Sequence, residues 1–292
     1  MNIVDKLMAG AVDMHIHIAP DSLVTRRQDA LQLAYSAREA CLRAIVLKSR
    51  DYVTVPLALL VHTLVPEVLV FGSVTLDNEV GGVNPAAVLA GARMGAKVVW
   101  MPTFTAANSK AKTEASLNLK LSGQSQSILD NKGTLLPEVK EIVRIVKDYD
   151  IVLATGHLSP REVLSLVKEG IAAGLTKVVV THVLQAQLME AALSQDDILC
   201  LARMGAFIEY SFWTCRNTIS IIDPKRIVES VKAVGAEHCI LTTDFGQAYN
   251  PAAPEGMREF IEILLQNGLG EKEIEILVKE NPARLLNLDS FH

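Results

Sequence analysis

Short apolar runs rich in β-branched residues recur along the chain, each followed by a polar stretch and then an amphipathic one. Eight can be read: AVDMHIH (11–17), RAIVLKS (43–49), VLVFGSVTLD (68–77), AKVVWMPT (96–103), IVLATGHLS (151–159), KVVVTHV (177–183), AFIEYSF (206–212) and CILTTDFG (239–246). Lengths near seven and near-continuous apolar character predict strands covered on both faces, as in a parallel sheet. Helical stretches between them carry clear start signals. Asn84-Pro85, Ser159-Pro160 and Asp223-Pro224 each set a capping residue before a proline at the first helical position. Glu162, three residues after Ser159, completes a capping box. Gly95, Gly174, Gly205 and Gly235 stand where helical stretches end ahead of a run. Glycine takes the left-handed conformation that closes a helix.

The repeating unit is strand, polar loop, capped helix, glycine, strand. Eight such units predict an α/β chain closed as a (β/α)8 TIM barrel, one domain over residues 1–292. An open doubly wound sheet is less favoured, because no GxGxxG follows the first run. Residues 104–136, rich in Ser, Asn and Lys, separate the fourth run from its helix. So long an insertion predicts a functional lid or disorder.

Composition narrows the function classes. A chain of 292 residues allows two domains by length, but α/β barrels run to about 250 residues as one. Half the residues are hydrophobic and 21% charged, which excludes a disordered chain. A net charge of −5 argues against a general nucleic-acid surface, which needs a basic face. The longest apolar stretch, Val55–Gly72, is broken by His62, Thr63, Pro66 and Glu67, so no membrane span is expected. The opening MNIVDKLMAGAVDMHIH carries Asp5 and lacks a signal layout. Cys41, Cys200, Cys215 and Cys239 are far apart with no CxxC, which fits a reducing cytoplasm.

The histidines carry the chemistry. Of seven, His15 and His17 end the first run, His157 falls near the end of the fifth and His182 near the end of the sixth. Asp244 falls near the end of the eighth. In a barrel, the C-terminal strand ends surround the mouth where active sites are built. Residues i and i+2 of a strand share a face, so His15 and His17 can chelate one ion. His157, His182 and Asp244 arrive from other strands and can complete the shell. Imidazole and carboxylate suit Zn²⁺, and also Fe²⁺, Mn²⁺ or Ni²⁺. His62, in a helical stretch, and His238, ahead of the last run, are expected to be structural.

VDMHIH, TGH, THV and TTDFG, with the ending NPARLLNLD (281–289), make the chain resemble the amidohydrolase superfamily of metal-dependent hydrolases, as a little-characterised branch. The order HxH, His, His, Asp spans His15 to Asp244. The resemblance implies that His15, His17 and His157 are metal ligands. It makes Asp244 a ligand or the base that takes a proton from water. It makes His182 a ligand of a second metal or a group polarising the substrate's oxygen. There is a departure. Two-metal members carry a carboxylated lysine or a glutamate at the end of the fourth strand, and here that run ends Trp100-Met101-Pro102-Thr103. One ion is therefore favoured, zinc first, with two left open. Lys48 would restore a two-ion site if carboxylated. Otherwise it binds a substrate anion, pairs with Asp51 or Asp77, or is a plain strand-end lysine.

The expected activity is a hydrolase in which a metal-activated water attacks an amide, ester or lactone carbonyl of a small molecule. Asp244 moves the proton and His182 polarises the carbonyl. A metal-assisted decarboxylase or lyase on a small carboxylic acid, and a non-catalytic ligand-binding barrel, are the alternatives. Arg26, Arg27, Arg50 and Arg216 follow strand ends and can hold a substrate carboxylate, as can Lys48. Apolar helical stretches such as 55–67 leave room for a homo-oligomer.

Overall fold

The computed structural model describes residues 2–185, 189, 191–216 and 221–288. Nine strands are present among them: β1 Val12–His17, β2 Ala44–Lys48, β3 Leu69–Phe71, β4 Ser73–Thr75, β5 Val98–Trp100, β6 Val152–Ala154, β7 Val178–Val180, β8 Phe207–Ser211 and β9 Cys239–Thr242. The third apolar run is thus two short strands divided at Gly72. A Cβ on Gly72 would lie 2.4 Å from Val55 Cα, so the start of the helix Val55–Leu64 presses directly on the backbone there. The chain divides into two compact units, residues 1–49, 54–72 and 210–292 in one, residues 50–53 and 73–209 in the other.

In the first unit β1 pairs with β2, His17 opposite Lys48, and β2 pairs with β3, all parallel. On its other side β1 meets the chain just after β9. The Asp244 N–H donates to the His15 carbonyl at 2.9 Å, and the His17 N–H donates to the Phe245 carbonyl at 2.7 Å. The first and last runs of the sequence are therefore neighbours. Phe212, Phe245 and Phe260 stack at centroid distances of 5.4 and 4.8 Å in the core behind them. The final helix, Asn281–Leu286, is tied to the start of β9 by Asn281 Nδ2, which donates to the carbonyls of Ala236 and Cys239. Asp289, the last residue of the NPARLLNLD motif, lies outside the described residues.

In the second unit β4, β5, β6 and β7 pair in parallel in that order, and β7 pairs with the first residues of β8. The helix Pro137–Asp148 buries Val139, Ile142, Val143 and Val146, the spacing of one helical face. The sequence signals for helix starts hold. Asn84 accepts from the Ala86 N–H, and the Glu162 carboxylate takes both the N–H and the hydroxyl of Ser159. In the first unit Asp223 accepts from the Lys225 N–H.

Residues 104–136 are more structured than their composition predicts. They hold an eight-residue helix, Lys110–Leu117, ended by Asn118 in a left-handed conformation. The segment is anchored at several points. Asp77 accepts from the N–H and hydroxyl of both Thr103 and Thr105. Asn78 Nδ2 donates to the carbonyls of Ser122 and Gln124. Glu162 takes the Ser127 hydroxyl and the Ile128 N–H. No helix among the described residues is long and apolar enough to cross a membrane.

Candidate metal centre

The alternation of β1 sends His15 and His17 to one side, and their rings lie 5.4 Å apart. The backbone bonds between β1 and the chain after β9 then bring Asp244 to them. His15 Nε2 and His17 Nε2 each lie 3.1 Å from Asp244 Oδ1. One donor atom from each of the three residues falls within 4.8 Å of the others. His15 is fully buried, while the side chains of His17 and Asp244 keep 13% and 8% of their exposure. Two imidazoles and a carboxylate so placed form a donor set for a divalent ion.

The surrounding residues set this geometry. Asp13, buried below the pair, accepts from the Thr243 hydroxyl at 2.6 Å and from the His15 N–H at 3.2 Å. Burial pushes its carboxyl up to about 7, against the hydrogen bond from Thr243. Asp13 thus locks β1 to the residue before Asp244. Gly246 is required for the same close approach: a Cβ there would lie 2.1 Å from the His17 carbonyl oxygen, and its φ is +139°. Asp244 itself adopts a left-handed φ of 53°.

Arg26 lies against His17, with Nη2 3.3 Å from Nδ1. It also donates through Nε and Nη2 to Asp21 Oδ2, at 2.8 and 2.6 Å. Burial alone would raise the Asp21 carboxyl. Arg26 and the N–H groups of Val24 and Leu23 hold it below its ordinary value. Burial, and then the charge of Arg26, hold the His17 imidazole well below its ordinary pKa, in the neutral form that a ligand needs. Lys48 Nζ lies 2.8 Å from His15 Nε2.

The second unit holds the other two histidines. His157 and His182 are both buried, with ring centroids 5.2 Å apart in an edge-on arrangement. Ser109 Oγ lies 3.1 Å from His157 Nδ1, and Phe104 flanks the same ring. His182, like Asp244, is left-handed, with φ 55°. Arg50, also of this unit, pairs with Asp51 at 2.8 Å and Glu79 at 3.0 Å and lies over the Phe104 ring. Arg216, in the first unit, pairs with Glu259, both partly exposed. His62 bonds the Val68 carbonyl through Nδ1, and His238 sits in a single turn before β9.

Asp13, Asp21 and Ser109 were not singled out in the sequence. Asp13 had a signal, being an acidic residue two before His15 on the same strand face. Asp21 and Ser109 stand in polar stretches with nothing to mark them.

Solved structures share this architecture over almost the whole chain. An amidohydrolase from Pseudomonas aeruginosa matches with a TM-score of 0.63 at 13% identity, over 97% of this chain and 98% of that one. The lactonase from Listeria monocytogenes matches at 0.64 and 13%, over 97% and 96%. The phosphotriesterase homology protein from Escherichia coli matches at 0.62 and 16%, over 95% and 98%. The fold is the (β/α)8 barrel that these structures share. By sequence the chain belongs to the family described as Family of unknown function (DUF6282), whose model matches residues 10–209. That span contains His15, His17, Lys48, His157 and His182 and stops short of Asp244. No curated protein matches the chain in sequence.

Proposed function

We propose that this protein is a metal-dependent hydrolase acting on an amide, ester or lactone carbonyl of a small molecule. The observation that carries it is the convergence of His15 Nε2 and His17 Nε2 on Asp244 Oδ1, each at 3.1 Å. The likeness in fold to a lactonase and to a probable dipeptidase supports a hydrolase of this kind. His15, His17 and Asp244 would hold one ion, zinc first and Fe²⁺, Mn²⁺ or Ni²⁺ next. Such an ion supplies a water activated at neutral pH and a Lewis acid for a carbonyl oxygen.

The remaining work falls to the chain. Asp244 takes the proton of the attacking water and returns it to the leaving group. Arg26, held by Asp21, keeps the His17 ring in place. Arg26, Arg50 and Arg216 each already face a carboxylate, so a substrate anion would have to compete for them. Lys48, whose Nζ likewise has a partner in His15, stands with these arginines as a proposed contact for a substrate anion. For His157 and His182 the proposed roles are those the family resemblance implies: His157 a metal ligand, His182 a ligand of a second metal or a group polarising the substrate's oxygen.

The test is a screen of lactones, esters, amides and small carboxylic acids with metal-reconstituted protein and product analysis. Asp244→Asn and His17→Ala should each lower turnover by about 100-fold or more. His157→Ala and His182→Ala in the same assay test the second pair. Full activity in both Asp244→Asn and His17→Ala would sink the proposal. Release of CO₂ in place of hydrolysis would assign the alternative lyase chemistry.

A further inference from the structure

Lys48 ends β2, directly opposite His17 of β1 in the parallel register. It is 2% exposed, in a strand otherwise made of Ala, Ile, Val and Leu. An ammonium buried this deeply needs polar partners, because its hydration is lost. One of them is the histidine pair: Nζ lies 2.8 Å from His15 Nε2. That nitrogen is the same atom that lies 3.1 Å from Asp244 Oδ1.

The spacings separate two roles. Adjacent donors on a tetrahedral ion with bonds of ~2.0–2.1 Å sit about 3.3 Å apart. The 3.1 Å separations of His15 and His17 from Asp244 approach that edge. The 2.8 Å between Lys48 and His15 is shorter and matches a hydrogen bond. An ammonium has donors and no acceptor, so the lone pair of His15 Nε2 receives it. A metal ion needs that lone pair. A positive charge at Nζ also opposes a dication drawn to the same carboxylate.

We propose that Lys48 is an internal competitor for the ion at His15, His17 and Asp244: its ammonium occupies the His15 Nε2 lone pair, and the ion binds by displacing it. This rests on the metal reading above. The experiment is calorimetric titration of Zn²⁺ and of Mn²⁺ into chelator-stripped wild type and Lys48→Met. Methionine keeps an unbranched chain and removes charge and donors. The variant should bind at least about tenfold more tightly, at unchanged stoichiometry. Equal or weaker binding by the variant, with binding by wild type intact, overturns the competition and leaves the metal reading standing. Binding by neither protein overturns both. Nitrogen NMR of His15 in stripped wild type needs no variant to fold. Its Nε2 should be a hydrogen-bonded acceptor, with the ring proton on Nδ1, and should shift when Zn²⁺ is added. A ring proton found on Nε2 overturns the inference.

Discussion

His182 and Asp244 share an uncommon backbone state, with φ of 55° and 53°. Left-handed φ is disfavoured by Cβ for most residues and is tolerated best by Gly, Asn and Asp. At Asp244 the conformation turns the carboxylate toward His15 and His17 while the backbone still bonds to His15. Asp244→Gly and Asp244→Ala both remove the carboxylate, so their difference reports the backbone alone. We expect the glycine variant to be the more stable by about 1 kcal/mol in urea unfolding. An alanine variant of equal or greater stability would contradict the strain. The HxH spacing was legible at this scale because strand alternation fixes it locally, whereas Asp244 was marked only by its place near the end of the last apolar run. The task of Arg26 was not. A loop arginine after a strand has the same sequence signature whether it meets a substrate or, as here, Asp21 and the His17 ring.

At the scale of elements, the segment 104–136 shows why composition misleads. Its polar residues are engaged with fixed partners, and the carboxylates of Asp77 and Glu162 lie outside it in sequence. Asp77 is fully buried with four acceptor bonds to Thr103 and Thr105. Asp77→Ala strands those donors and should destabilise by about 3 kcal/mol or more. Limited proteolysis should show new cuts within 103–126. A variant as resistant as wild type would refute this anchoring.

The helix Lys110–Leu117 offers a pH test. The Lys110 ammonium and the Leu121 N–H, then Lys120, hold the Glu114 carboxyl down to about 2, from 4.5 when free. A carboxyl lowered in the folded state stabilises fully above its unfolded value and loses that contribution as pH falls through the folded one. The stability gap between wild type and Glu114→Gln should therefore be full above pH 4.5 and close toward pH 2 in thermal melts. A gap that widens on acidification would reverse the assignment. The helix itself was not legible, because it lacks an amphipathic stripe and owes its order to these side-chain anchors.

For the whole molecule, an ion that binds only the folded chain adds stability by mass action. At about 100-fold excess over Kd that is roughly 2.7 kcal/mol, a rise of about 5–10 °C in Tm for a domain of this size. Chelation should reverse the rise. Among amides that exchange by local opening, slowing should centre on 12–17 and 243–247, while core amides that exchange only by global unfolding slow throughout. No shift with any of Zn²⁺, Mn²⁺, Fe²⁺ or Ni²⁺ would count against the metal centre. The sequence by itself determined the alternation of apolar runs and capped helices and the ligand candidates, because these follow from local periodicity, capping chemistry and the two-residue repeat of a strand; it missed the break at Gly72 and the helix Lys110–Leu117. The tertiary structure decided what lies some 230 residues apart. The backbone bonds between β1 and the chain after β9, with Asp13 on Thr243 and a glycine at 246, bring Asp244 onto His15 and His17. It also decided that Lys48 turns to His15, a choice that depends on strand register and burial and leaves no trace in local pattern.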